Sequence, residues 1–139
     1  DNTDIFGVEA AYNADGYGVA VAYSSNDGGT STDTTYWGVN GYYTFDIASL
    51  SVGYETSDDG SADATGYFVG LSFPEVGPGS VNVAAATTGL FTDAQTETMI
   101  YEASYSYPVN DGMTITPGVF VKEGASDETG VAVKASFSF

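Results

Sequence analysis

The strongest constraint on this chain is an alternation of apolar with small or polar residues that runs, with period two, from one end to the other. Side chains of a β-strand point alternately to opposite faces, so this period predicts strands with two unlike faces. Turn residues interrupt the alternation, and no segment of useful length has helical spacing. The pattern predicts nine strands, at Asp4–Tyr12, Tyr17–Ser24, Thr34–Phe45, Ala48–Glu55, Gly66–Phe73, Ser80–Gly89, Met99–Tyr107, Met113–Lys122 and Gly130–Phe139.

The connections between these strands alternate in length. Short connections with tight-turn residues are predicted at Asn13–Gly16, Asp46–Ile47, Pro74–Gly79 and Pro108–Gly112. Longer polar loops are predicted at Ser25–Asp33, Thr56–Thr65, Leu90–Thr98 and Glu123–Thr129. An antiparallel meander with a turn rim and a loop rim is typical of bacterial outer-membrane β-barrels.

One face of the predicted sheet, here called the apolar face, carries Val, Ala and Leu in the middle of the strands and aromatic residues near the strand ends. Two aromatic girdles around an aliphatic belt match the two interfaces between lipid and water. A secreted or surface β-sandwich, which is the alternative fold, would concentrate its large rings at the centre of a core. The girdle residues are Tyr12, Tyr17, Trp37, Tyr43, Phe45, Tyr107, Phe137 and Phe139.

The opposite face, here called the small-residue face, holds the ionisable residues of the strands. A cation on the lipid side would cost roughly 2–4 kcal/mol near the midplane, whereas a water-filled lumen imposes no such cost. We therefore expect a pore lined by Glu9, Glu55, Glu102, Lys122 and Lys134. Four aromatic residues interrupt this face, and they either narrow the lumen or pack against an inserted loop: Tyr36, Tyr42, Phe68 and Phe120.

Acidic residues dominate the loop rim and give the chain a formal net charge of −17. An acidic rim raises the local concentration of cations and repels anions, and salt screens this effect. The alternative interpretation is a solvated surface suited to salty water. The acidic rim comprises Asp27, Asp33, Asp58, Asp59, Asp63, Asp93, Asp127 and Glu128, with Asp1, Asp4, Glu97 and Glu123 beside them.

The composition argues against several other functions. The chain has no Cys and no His, so thiolate metal sites, disulfides and the usual acid–base group are missing. Its only cations are Lys122 and Lys134, which excludes nucleic acid as a partner. Glu9, Glu55 and Glu102 have no nucleophile beside them in the pattern, so we expect no enzyme activity. No cofactor is expected, although Asp27-Gly-Gly29 and Asp58–Asp63 are candidates for loosely bound Ca²⁺ through oxygen ligands.

The hairpin Tyr101-Glu-Ala-Ser-Tyr-Ser-Tyr-Pro-Val-Asn-Asp-Gly-Met-Thr-Ile-Thr-Pro-Gly-Val-Phe-Val-Lys122 resembles the closing hairpin of cyanobacterial outer-membrane porins. These are carbohydrate-selective-porin-like barrels that carry an N-terminal surface-layer-homology domain. The ending Val131-Ala-Val-Lys-Ala-Ser-Phe-Ser-Phe139 resembles the C-terminal strand signal that the outer-membrane assembly machinery reads. The resemblance implies a multi-pass protein of the cell outer membrane, through which small solutes and inorganic ions diffuse passively.

The number of strands indicates that this segment does not close by itself. If nine strands closed on themselves, the first and last would meet in parallel, which bacterial single-chain barrels avoid. We therefore expect residues 1–139 to be the C-terminal segment of a larger barrel, without a separate soluble domain. The expected partners are outer-membrane lipid, upstream strands of the same porin and the assembly machinery, and whether the barrels form a homotrimer stays open.

Overall fold

The computed structural model describes residues 4–27, 29, 33–60, 63–88 and 98–138. These residues form one antiparallel sheet of nine strands, in which each strand pairs with its neighbours along the chain. The all-β meander predicted from the alternation is confirmed. The strands are β1 (Asp4–Ala14), β2 (Tyr17–Asp27), β3 (Thr34–Thr44), β4 (Ser49–Asp58), β5 (Asp63–Val76), β6 (Gly79–Thr88), β7 (Thr98–Asn110), β8 (Met113–Lys122) and β9 (Glu128–Phe137).

The strands are long enough to cross a bilayer when tilted, because about 9–11 residues suffice for this. Each has between 10 and 14 residues. Among the described residues, no helix is both long and apolar enough to span a membrane.

At the turn rim, the hairpins are tight. Ala14 pairs with Tyr17, and the turn between them ends at Gly16, whose φ of 82° favours a residue without a Cβ. Val76 pairs with Gly79 around Gly77 and Pro78, and Gly77 has a φ of 62°. This corrects the predicted connection at Pro74–Gly79, because β5 continues through Pro74 to Val76. A register shift between Phe73 and Val76 accommodates the proline, which has no N–H to donate to the ladder.

At the loop rim, the predicted loop Thr56–Thr65 is largely replaced by strand. Thr56 pairs with Thr65, and Asp58 pairs with Asp63, so that only residues 59–62 connect β4 to β5. The Thr56 hydroxyl donates a hydrogen bond of 2.9 Å to the Ala64 carbonyl oxygen, which holds the strand ends together. The other connections at this rim are 28–33, 89–97 and 123–127.

The sheet has no protein core of the usual kind. Within the described residues, the buried apolar side chains are only Ala48 and Ala64, at 6% and 8% exposure. A β-sandwich needs a second sheet packed on the first, and the described chain forms a single sheet. Its outer strands, β1 and β9, make no contact with each other in the described part, so the sheet has two open edges.

Candidate functional site

The register places the predicted apolar residues together on one face. Val8, Tyr23 and Trp37 lie directly opposite one another on β1, β2 and β3. Nothing in the described chain covers this face: Phe6 is 62% exposed and Val131 is 80% exposed. Contiguous apolar surface on this scale marks a site of contact with lipid or with another protein.

The aromatic residues of this face form pairs near both rims. At the turn rim, the ring centroids of Tyr43 and Phe45 are 4.7 Å apart, and those of Tyr12 and Tyr17 are 6.0 Å apart. At the loop rim, Trp37 lies 5.3 Å from Tyr54. Trp37 and Tyr43 are six positions apart along β3, which corresponds to about 20 Å of strand. Of the predicted girdle, Tyr12, Tyr17, Trp37, Tyr43, Phe45, Tyr107 and Phe137 are exposed, and Phe139 lies outside the described residues.

The register also places the five charges predicted to line the pore on the small-residue face. Glu9, Ala22, Gly38 and Glu55 form one cross-strand row, meaning residues directly opposite one another on successive strands. Glu9 and Glu55 are therefore three strands, or about 14 Å, apart in the sheet. Paired catalytic carboxylates of glycosidases stand about 5–9.5 Å apart, so this pair has the wrong geometry for that chemistry.

Of the other three charged residues on this face, Glu102 and Lys122 lie in a cluster and Lys134 lies apart from them. Lys122 lies directly opposite Glu128, and Glu102 is diagonal to Lys122 because Glu102 pairs with Phe120 two residues earlier. Lys134 lies closer to the turn rim, opposite Thr116. Thr116 also shares a 3.0 Å hydrogen bond with the Ser106 hydroxyl on β7.

Three of the four aromatic residues on this face lie against glycines of a neighbouring strand. A Cβ added to Gly53 would overlap the Phe68 ring, and one added to Gly130 would overlap the Phe120 ring. Gly18 has the same relation to Tyr42, whose hydroxyl also donates to Asn13 Oδ1 at 3.5 Å. Cross-strand aromatic–glycine pairs of this kind cover the bare backbone. The sequence prediction lacked this detail, although the hairpin turns fix the register from which these pairs follow.

A hollow of about 620 Å³ opens along β2–β5. Its lining includes Ala22, Gly38, Gly53 and Gly66, which have little or no side chain. The larger side chains of the small-residue face that line the hollow belong to Ser24, Tyr36, Asn40, Glu55 and Phe68.

The acidic rim is partly built from strand ends. Asp4 pairs with Asp27 on β1 and β2, and Asp58 pairs with Asp63 on β4 and β5. Glu128 begins β9 and does not lie in a loop. Asp33 and Asp59 lie in the connections after β2 and β4, Asp127 Oδ1 accepts a hydrogen bond from Gly124 N at 3.4 Å, and Asp93 is outside the described residues.

The two candidate calcium segments form local turns. Asp27 Oδ1 accepts a hydrogen bond from Gly29 N at 3.0 Å, and Asp58 Oδ1 accepts one from Gly60 N at 2.6 Å. In the described ranges, no group of three acidic side chains comes close enough together to hold a metal ion. Loosely bound Ca²⁺ therefore stays a prediction.

Comparison with known proteins agrees with this geometry. No curated protein and no solved structure matches the chain. The sequence pattern of the Gram-negative porins, however, matches residues 1–129, which is most of the chain. Such porins are β-barrel channels of the outer membrane, with strands that alternate between lipid and lumen. Since the match extends over eight of the nine strands and into the last, the chain belongs to the Gram-negative porin family.

Proposed function

We propose that this segment forms part of the wall of an outer-membrane pore, through which small solutes and inorganic ions diffuse passively, with cations preferred. One observation carries the proposal: between its two rims, a single sheet with a bare apolar face has its charged residues, Glu9, Glu55, Glu102, Lys122 and Lys134, on the opposite, small-residue face. In an outer-membrane barrel the apolar face contacts lipid and the small-residue face lines water.

The balance of charges supports the preference for cations. Glu9 and Glu55 lie on β1 and β4, far from the two lysines on β8 and β9, whereas Lys122 stands between Glu102 and Glu128. The pairs Asp4–Asp27 and Asp58–Asp63 add negative charge at the loop rim. The Debye length is about 30 Å at 0.01 M salt and about 3 Å at 1 M, so rim charges act on a passing ion only in dilute solution.

Closure of the barrel requires partner strands. The edge strands β1 and β9 run in the same direction because every neighbouring pair in the sheet is antiparallel. Open edges are not tolerated in lipid, so we propose that an odd number of further strands of the same porin closes the barrel. Intact-mass analysis of the assembled protein should then show polypeptide beyond these 139 residues.

The finer assignment rests on resemblance. We propose a cyanobacterial, carbohydrate-selective-porin-like protein of which these residues are the C-terminal segment, supported by the hairpin Tyr101–Lys122 and the ending Val131–Phe139. Recognition of that ending by the assembly machinery, and a homotrimeric state, are parts of this proposal. Binding of the native protein to isolated peptidoglycan would test the surface-layer-homology domain that the resemblance implies.

The test of cation preference is the reversal potential of the assembled porin in a planar bilayer. Dilute salt on the loop-rim side should give cation preference, and replacing Asp58, Asp59 and Asp63 by Asn should weaken it. The matched control replaces three acids of the turn rim by Asn: Asp15, Asp46 and Asp111. We expect it to weaken cation preference more when the salt gradient is reversed, so that the dilute salt is on the turn-rim side. Anion preference in dilute salt on both sides would contradict the proposal.

A further inference from the structure

The hollow along β2–β5 has a surface suited to a flat or rounded apolar ligand. Gly38 and Gly66 stand on either side of Glu55 in the cross-strand row, so the backbone there is bare of side chains. Tyr36 and Phe68 bound this stretch at positions nearer the loop rim and the turn rim, respectively. A ligand that enters this space therefore contacts backbone and ring surface around one carboxylate.

The Phe68 ring rests against the sheet and is still accessible from the hollow. The ring lies over Gly53, since a Cβ on that glycine would meet Cε1, Cδ1 and Cζ together. One side of the ring is thus covered by the wall, and Phe68 is still 42% exposed. The exposed face of an aromatic ring attracts cations through its quadrupole, which holds for an ammonium group within about 6 Å of the centroid.

The carboxylate of Glu55 has no basic neighbour in the hollow. The lining contains neither lysine, and Glu55 is exposed. Lys122 lies on β8, four strands from β4, or about 19 Å away along the sheet. That separation exceeds the Debye length of about 8 Å at physiological salt, so Lys122 does not neutralise Glu55 for a ligand in the hollow.

We propose that this hollow is a binding site for small organic cations, of the quaternary ammonium or alkylammonium class. Such an ion combines a positive charge for Glu55 with an apolar surface for the Phe68 ring and the glycine backbone. A hydrated inorganic cation would gain only the charge interaction, and a neutral solute only the apolar contact. The inference rests on the proposed function, because the hollow must face the lumen.

The experiment measures block of the potassium current by choline in the assembled porin, with 3,3-dimethylbutanol as the neutral analogue of the same shape. We expect choline to block from the lumen and the alcohol to have no effect. Phe68→Leu, which keeps an apolar side chain and removes the ring, should weaken block about two- to fivefold. Glu55→Gln should weaken it by up to about fivefold and make block less dependent on salt.

Two further variants separate the site from general effects on the pore. Phe68→Tyr keeps the ring face and should retain block, which guards against a Leu variant that simply folds poorly. Glu102→Gln removes a wall acid outside the hollow and should also retain block. If potassium selectivity is normal but choline does not block, or the alcohol blocks equally well, the inference is wrong while the proposed function stands. A pore that prefers anions would instead overturn the proposed function.

Discussion

Replacing Gly53 by Ala should destabilise the barrel by forcing the Phe68 ring off the wall. A Cβ at residue 53 overlaps the ring, and the backbone there is held in the ladder by pairing with Asn40 on one side and Phe68 on the other. The ring is therefore the part that has to move. We expect it to swing into the lumen, where it loses its contact with the backbone of β4.

The magnitude follows from how much of Phe68 the wall covers. An aromatic side chain removes about 150–250 Å² from water when fully buried, and Phe68 is 42% exposed, so full displacement returns about 90–145 Å² to water. At about 25 cal/mol per Å², the larger area corresponds to ~3.6 kcal/mol as an upper limit. Replacing a strand glycine by alanine returns about 0.5–1 kcal/mol through backbone entropy. The free energy of unfolding should thus fall by about 1–3 kcal/mol.

The measurement is urea unfolding of the porin in lipid vesicles, followed by the fluorescence of Trp37, the single Trp of these residues. Gly70→Ala is the matched control. Gly70 lies on the same face and on the same strand as Phe68, but a Cβ there would find only the Val83 carbonyl oxygen at 3.8 Å. We expect Gly70→Ala to leave stability unchanged or slightly raised.

A double-mutant cycle tests the cause directly. In a Phe68→Ala background there is no ring to displace, so adding Gly53→Ala should cost nothing further. The displaced ring should also lower single-channel conductance in Gly53→Ala alone. The reasoning is refuted if Gly53→Ala behaves like Gly70→Ala, or if its cost persists after Phe68 has been removed.

Two further expectations concern the membrane orientation. Trp37 is 48% exposed on the apolar face. Lipids brominated near the headgroup end of the acyl chain should therefore quench its fluorescence strongly, and aqueous iodide should quench it only weakly. The reverse result would show that this face is not in lipid. Protease applied to intact cells should cut first within residues 28–33. Residues 59–62 should be cut later, because Asp58 and Asp63 on either side of them are paired, and the tight turn at Gly77 and Pro78 should also be cut later. If that turn were cut first, the orientation in the membrane would be the opposite one.

The sheet could be predicted because a period of two, together with tight turns, leaves little freedom in how neighbouring strands pair. Slipping a strand by one residue would exchange its two faces, so Tyr17, Trp37 and Leu50 could share the apolar face in only one register. Predicted and observed strand ends differ by up to three residues at both rims. At the turn rim, β5 and β7 each continue three residues beyond their predicted ends. At the loop rim, the sequence predicts a polar loop at Thr56 and Thr65, whereas cross-strand pairing and the hydrogen bond from Thr56 to Ala64 extend β4 and β5 there.

The site could be predicted only in outline. Alternation assigned Phe68 and Phe120 to the small-residue face, but which neighbour each ring covers depends on the residue opposite it. Gly53 opposite Phe68 and Gly130 opposite Phe120 leave room for each ring to lie against the backbone of the neighbouring strand. For the same reason, the hollow around Glu55 could not be predicted, because it arises where Gly38 and Gly66 flank one carboxylate across three strands.

The two lysines should make unequal contributions to stability, because their neighbours in the sheet differ. Lys122 stands opposite Glu128 and diagonal to Glu102, whereas Lys134 stands opposite Thr116. Lys122→Gln leaves two carboxylates near each other without a cation, which should lower the free energy of unfolding by about 0.2–1 kcal/mol in dilute salt. Because salt screens exposed charges, the loss should fade as the salt concentration rises.

Lys134→Gln is the control and should change stability by less than about 0.5 kcal/mol at any salt concentration. Adding Glu128→Gln to Lys122→Gln should restore stability in dilute salt. The stability of all three variants is measured by their urea midpoints at low and at high salt. Equal losses for the two lysines would show that total charge, rather than the pairing register of β7–β9, determines how much each lysine contributes to stability.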